Sequence, residues 1–208
     1  MQTIHHTQQI YEQHADFYDL MSFFMNNMIK KYRSIFRFLR GDILEIGTGT
    51  GENLINYHPK TKITAIDWSE KMISHAKNRV RTLKLQNVKE IKRMDAEKLS
   101  IHFDHNYFDH VTSTCVFCSI PNPIRGLEEV KKILKSGGFL VQIEHGLSRF
   151  GLLNVFLKFF DPFTSHFGGQ HMNRNHEKNL RDAGFKIFYS KDIDPLGIMK
   201  IIISKPIF

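Results

Sequence analysis

Residues 44–51 read LEIGTGTG, and this stretch decides the fold. Asp42 to Ile46 is a short, largely apolar run suited to a strand buried on both faces. Gly47, Gly49 and Gly51 then remove Cβ from alternate positions, so a ligand can lie against bare main chain. A strand that runs into such a turn and opens into a helix is the nucleotide-binding start of a βαβ unit. The dinucleotide version places a third glycine where this chain has Glu52, and a carboxylate there is poorly suited to a pyrophosphate. A nucleoside ligand without phosphate tolerates that acid. Its ribose still needs a carboxylate at the end of the next strand, and Asp67, about 20 residues beyond Gly47, has the spacing for it.

Outward from this turn, strand and helix patterns alternate. Lys62 to Asp67 reads as strand, Ser69 to Leu83 as helix, Val88 to Met94 and Phe108 to Cys115 as strands. Ile124 to Leu134 is a helix with Ile124, Leu127, Val130, Ile133 and Leu134 inward. Gly137 and Gly138 end it before a strand from Gly138 to Glu144. A helix over Arg174 to Ala183, stopped by Gly184, precedes strands at Phe185 to Tyr189 and Gly197 to Ser204. Upstream, Phe23, Phe24, Met28, Tyr32, Ile35, Phe36 and Leu39 recur at helical spacing. Lys30, Lys31, Arg33, Arg37 and Arg40 fall largely elsewhere, which predicts a basic amphipathic helix from Phe23 to Arg40 stopped by Gly41. The segment from Phe150 to Phe163 is unusually apolar around a lone Lys158. The expected class is α/β.

At 208 residues, 41% hydrophobic and 24% charged, the chain reads as one globular domain, residues 1–208. Within it, residues 1–41 form an expected helical cap and 146–172 an apolar lid or membrane-contact insertion. The first residues show no basic cluster followed by an apolar run, and Cys115 and Cys118 lie in an apolar stretch. A cytoplasmic protein with reduced thiols is expected. The net charge of +8 favours an acidic partner such as an anionic lipid surface. No apolar run approaches the roughly 20 residues of a membrane-spanning helix.

S-adenosylmethionine (SAM) carries no phosphate and fits the glycine turn. The chain resembles the class I SAM-dependent methyltransferases: LEIGTGTG is similar to their first SAM-binding motif, ITAIDWSEKMI (63–73) to the second and RMDAEKL (93–99) to the third. The resemblance implies a Rossmann-like, seven-stranded, mostly parallel sheet with helices on both faces and the last strand antiparallel. It implies cofactor contacts from Glu45, Gly47, Thr48, Gly49 and Gly51, ribose binding by Asp67, and adenine contacts from Trp68, Met72, Asp95 and Ala96. Thr114 and Cys115 are expected at the strand end nearest the cofactor, and S-adenosylhomocysteine as the product. The stretches 108–145 and GGQHMNRNHEKNLRDAGF (168–185) resemble bacterial phospholipid N-methyltransferases and membrane-associated small-thiol methyltransferases. FYDLM (17–21) is similar to ubiquinone and menaquinone C-methyltransferases.

Methyl transfer asks mainly for positioning and exclusion of water, with a base where an amine or thiol must lose its proton. His145, just beyond a strand at the carboxyl edge of the sheet, is the candidate base. Tyr18 is a second catalytic candidate, and His171 and Arg174 are candidates for binding an anionic acceptor. Cys115 and Cys118 form a CxxC without a second ligand pair, so they are expected to line the pocket rather than hold zinc. The acceptor is expected to be a small molecule or lipid, with a phospholipid amine ahead of a small thiol and then a quinone. Peripheral contact with an anionic membrane belongs to this reading. Nucleic-acid methylation, or SAM binding without turnover, ranks lower, because no nucleic-acid recognition module is visible. The acceptor atom and oligomeric state stay open.

Overall fold

The computed structural model describes residues 29–168 and 170–208. Among them, seven strands form one sheet: β1 (Asp42–Ile46), β2 (Lys62–Asp67), β3 (Val88–Arg93), β4 (Phe108–Thr114), β5 (Leu134–His145), β6 (Phe185–Asp192) and β7 (Met199–Pro206). Their order is β3-β2-β1-β4-β5-β7-β6, and β7 runs antiparallel to both neighbours. The expected Rossmann-like sheet is therefore present, with its reversed strand between β5 and β6.

The alternation of a strand's side chains divides the apolar residues between two cores, one on each sheet face. Ile43 of β1 joins Leu54, Ile73 and Ala76 on one face. Leu44 and Ile46 join Leu99, Leu127, Val130 and Leu180 on the other. The helices that close these faces are α1 (Glu70–Thr82), α2 (Pro123–Ile133) and α4 (His176–Asp182). Each has a side-chain cap: Ser69 accepts from the N–H of Met72, Asn122 from Arg125 and Asn175 from Lys178. A fourth helix, α3 (Gly151–Gly168), contains the apolar segment.

Several sequence expectations are corrected. Among the described residues of the amphipathic stretch, Tyr32–Phe38 is a 3₁₀ helix, and the chain is extended again at Leu39. Arg33, Phe36 and Leu39 are buried at every third position, the repeat of a 3₁₀ rather than an α-helix. Arg33 consequently faces inward instead of joining a basic outer face. The glycine turn leads into a single 3₁₀ turn, Leu54–Asn56, where an α-helix was expected. Asn53 and Asn56 are weak helix formers and Pro59 follows closely, so no longer helix propagates. Gly137 and Gly138 lie inside β5 rather than capping a helix. A Cβ on Gly138 would sit 2.5 Å from the carbonyl oxygen of Asp109, so its role is close approach to β4 beside a register shift. Arg174 precedes α4 instead of starting it.

Candidate active site

Three glycines in left-handed conformations shape the turn: φ is +66° at Gly47, +55° at Gly49 and +84° at Gly51. A Cβ on Gly47 would lie 2.3 Å from Val116 Cγ2, whereas one on Gly49 would meet no atom within 4 Å. Gly47 is thus required for packing, and Gly49 opens onto space. That space is a cleft lined by Ile46, Gly47, Gly49, Ile66, Asp67, Trp68, Met72, Met94, Ala96, Thr114, Cys115, Val116, Ser119, Ile120 and Pro121. It opens at the carboxyl ends of β1, β2 and β4, where ligands bind in open α/β sheets.

Asp67 organises one side. Its Oδ2 accepts from the Gly49 N–H at 2.8 Å, and its Oδ1 from the N–H groups of Trp68 at 2.8 Å and Ser69 at 3.0 Å. The carboxylate is held next to the bare main chain, at the position a ribose acceptor requires. Trp68, Met72, Met94, Ala96 and Ile120 give apolar walls suited to an adenine ring. The residues present therefore fit the adenosyl group that the fold family binds.

Other expected cofactor residues stand behind this wall. Asp95 does not border the cleft: its Oδ1 accepts from Glu97 N at 2.8 Å, capping the 3₁₀ helix Ala96–Ile101. Thr48 donates its N–H to Ile66 O at 3.0 Å and is buried, as is Glu45. Asn53 Nδ2 donates to Glu45 Oε1 at 3.4 Å and to Thr114 Oγ1 at 3.2 Å, which ties the buried acid to the cleft. Glu52 pairs with Arg79 of α1 and lies 3.6 Å from Arg33. The carboxylate that argues against a pyrophosphate is therefore neutralised, and it joins the 3₁₀ helix to α1.

Burial raises the Glu45 carboxyl to about 7, against hydrogen bonds from Tyr57 and Asn53 and the charge of Arg33. The folded state holds this proton more tightly than the unfolded chain. Glu45's contribution to stability is thus fully present below the ordinary value of 4.5 and is lost as the pH rises through about 7. Glu45→Gln should raise the melting temperature of the ligand-free protein by several degrees at about pH 8 and change it little at about pH 5. Thermal denaturation at both pH values checks this, and an equal shift at both would contradict it.

The floor of the cleft depends on Glu144, which the sequence reading passed over. This buried carboxylate accepts from Val116 N at 3.0 Å, Phe117 N at 3.2 Å and Ser113 Oγ at 3.0 Å. It clamps the chain just after Cys115, a non-glycine residue with φ +54°. Such strain costs on the order of 1–3 kcal/mol and persists only where its surroundings enforce it. The available signal was one acid at the end of the largely apolar run GFLVQIE. Burial pushes both thiols well up, which leaves them protonated. Cys115 lines the cleft as expected, but Cys118 is buried outside the wall and offers its carbonyl to His171 N at 3.0 Å.

The acceptor-side candidates form a second group. His145 is 2% exposed, and burial keeps its ring neutral. Its Nε2 meets Gln170 Oε1 at 3.0 Å, so the lone pair resides on Nδ1, which has no hydrogen-bond partner among the described residues. His145 does not border the cleft, and with Nε2 donating to Gln170 the structure does not bring its basic nitrogen to an acceptor proton. His176, held down to about 4 by burial, donates from Nε2 to the His145 carbonyl at 2.9 Å. His171 Nδ1 lies 2.9 Å from Asp161 Oδ2, and Arg174 donates to Ile120 O at 3.0 Å. Tyr18 lies outside the described residues.

A family model described as a methyltransferase domain matches residues 44–142. The chain is 28% identical over 162 residues to a phosphatidylethanolamine N-methyltransferase of Cereibacter sphaeroides, covering 78% of each. It is 29% identical over 171 residues to a thiol S-methyltransferase of Homo sapiens, covering 76% of this chain and 68% of that one. A solved SAM-dependent methyltransferase from Aquifex aeolicus shares the fold, with a TM-score of 0.64 and 22% identity over 86% of this chain and 89% of that one. The glycine turn, Asp67 and the cleft wall all fall inside the matched span, and these findings together support a class I SAM-dependent methyltransferase.

Proposed function

We propose that this enzyme methylates the amine of a phospholipid headgroup at an anionic membrane surface. The observation that carries the reading is the orientation of α3. Leu152, Val155, Phe156, Phe159 and Phe163 all face solvent, with Leu152 88% and Phe159 77% exposed. Their spacing of three and four residues puts them on one stripe, the reverse of a helix that packs its apolar face on a core. Inward, Leu157 and Asp161 are buried. Asp161 accepts from His171 Nδ1 and from Asn173 N at 3.2 Å, while the His171 N–H bonds Cys118 O beside the cleft. An outward acyl-binding stripe is thereby linked to the acceptor side of the site.

Among the described residues no helix is long and apolar enough to cross a membrane, so α3 suits in-plane contact. Each aromatic side chain moved from water into hydrocarbon contributes roughly 1.5–3 kcal/mol. The net charge of +8 adds attraction to anionic lipid. Likeness to the phosphatidylethanolamine N-methyltransferase supports the same acceptor, although the thiol S-methyltransferase stands at similar identity.

When bound, SAM supplies an electrophilic methyl group that passes in line to a deprotonated nitrogen, leaving S-adenosylhomocysteine. The chain's own part is positional. Asp67 and the turn hold the nucleoside, the apolar walls exclude water, and the clamp of Glu144 fixes the floor.

The test uses methyl-labelled SAM with vesicles of phosphatidylethanolamine and phosphatidylglycerol, alongside a panel of small thiols and quinols. Label is expected in phosphatidylethanolamine; label confined to a thiol or quinol would overturn the assignment. Phe159→Glu should weaken co-sedimentation with these vesicles by at least about tenfold while leaving S-adenosylhomocysteine affinity unchanged. Undiminished sedimentation would remove α3 as the contact.

A further inference from the structure

Arg174 is a half-buried cation whose electrostatic needs the protein does not meet. Its guanidinium makes one recorded hydrogen bond, to Ile120 O at 3.0 Å, and no carboxylate lies within ion-pair distance among the described residues. A guanidinium carries five donors, and a desolvated one is costly until an anion pairs with it. The neighbouring acids, Asp161 and Glu97, serve other donors. Asp161 accepts from His171 and Asn173, and Glu97 from Asn122 N at 2.8 Å. Burial accordingly lowers the Arg174 pKa from its ordinary value.

The position is also built. Leu147 N donates to the Arg174 carbonyl at 3.0 Å, and a Cβ on Gly146 would sit 2.3 Å from that oxygen. Only glycine at 146 lets the two chains come this close, so the backbone of Arg174 is fastened to the end of β5. Its side chain reaches across to Ile120, which lines the cleft. A planar donor fork anchored on the carbonyl of a cleft-lining residue, with most of its donors unspent, is suited to bidentate recognition of a phosphate or carboxylate.

We propose that Arg174 is the seat for the phosphodiester of the acceptor, fixing the headgroup so that its amine faces the methyl donor. This deepens the phospholipid reading and rests on it for the identity of the anion. The phosphodiester chemistry is shared by membrane lipid and by free glycerophosphoethanolamine, and the experiment separates the two. The enzyme is assayed on phosphatidylethanolamine vesicles and on vesicles carrying hexadecylamine, an amine without phosphate. Calorimetry with glycerophosphoethanolamine is run separately on the S-adenosylhomocysteine complex.

Arg174→Gln is expected to raise KM for phosphatidylethanolamine by at least about 30-fold, with hexadecylamine turnover and S-adenosylhomocysteine affinity within about threefold of wild type. Arg174→Lys keeps the charge but loses the fork, and should fall between the two. An equal loss on both amines, or a phosphatidylethanolamine KM within about threefold of wild type, would overturn the seat. If neither amine is methylated, the phospholipid reading fails, and calorimetry decides the seat alone. Glycerophosphoethanolamine binding that Arg174→Gln abolishes sustains it, whereas absent binding or binding equal in both proteins refutes it.

Discussion

Asp67→Ala should lower affinity for S-adenosylhomocysteine by more than two orders of magnitude. A carboxylate that accepts from two ribose hydroxyls makes charge-assisted hydrogen bonds worth about 1.5–3 kcal/mol each. Losing both costs about 3–6 kcal/mol, or roughly a hundredfold to ten-thousandfold in affinity. A further loss comes from the turn, because Asp67 also receives the N–H groups of Gly49, Trp68 and Ser69. Without it, three main-chain donors lose their acceptor and the loop is no longer preorganised. Asp67→Asn keeps one acceptor oxygen and should retain part of the affinity. Isothermal titration of each variant reads the effect directly. Affinity of Asp67→Ala within about threefold of wild type would mean that the sugar is held elsewhere.

The glycines should separate stability from binding. Gly47→Ala imposes a side chain on a φ of +66° and drives its Cβ to 2.3 Å from Val116 Cγ2 and 3.2 Å from Val116 Cβ. The left-handed backbone costs about 1–2 kcal/mol and the overlap about 1–3 kcal/mol more. For a domain of this size that lowers the melting temperature by roughly 5–15 °C. Val116→Ala added to this variant should restore part of the loss, because it removes both clashing methyls. Gly49→Val behaves differently: its side chain meets open cleft, so only the backbone penalty reaches stability. The branched group fills the path of the ligand, and affinity for S-adenosylhomocysteine should fall by at least about a hundredfold. Equal effects of the two substitutions on melting, with ligand affinity preserved in Gly49→Val, would refute the division of roles.

Most of the architecture was legible because it is written locally. Strands at Asp42–Ile46 and Lys62–Asp67, and the helix capped by Ser69, follow from apolar periodicity and punctuation within a few residues. The departures have local physical causes too. The 3₁₀ geometry of Tyr32–Phe38 follows a three-residue burial repeat, which only appears once Arg33 is known to be buried.

From its sequence alone, the protein had a parallel α/β sheet, a glycine turn bare enough for a nucleoside, and an acid at the ribose position. Tertiary structure decided what distant residues do to one another. It paired Arg33 with Glu52, made Glu144 the clamp under the cleft, set Gln170 against His145 and carried Arg174 to Ile120. It also turned the apolar stripe of α3 outward, where composition alone allowed a buried helix equally well. The reason is physical: periodicity reports which residues share a face. Burial, pairing and charge are set by whatever other part of the chain arrives against that face.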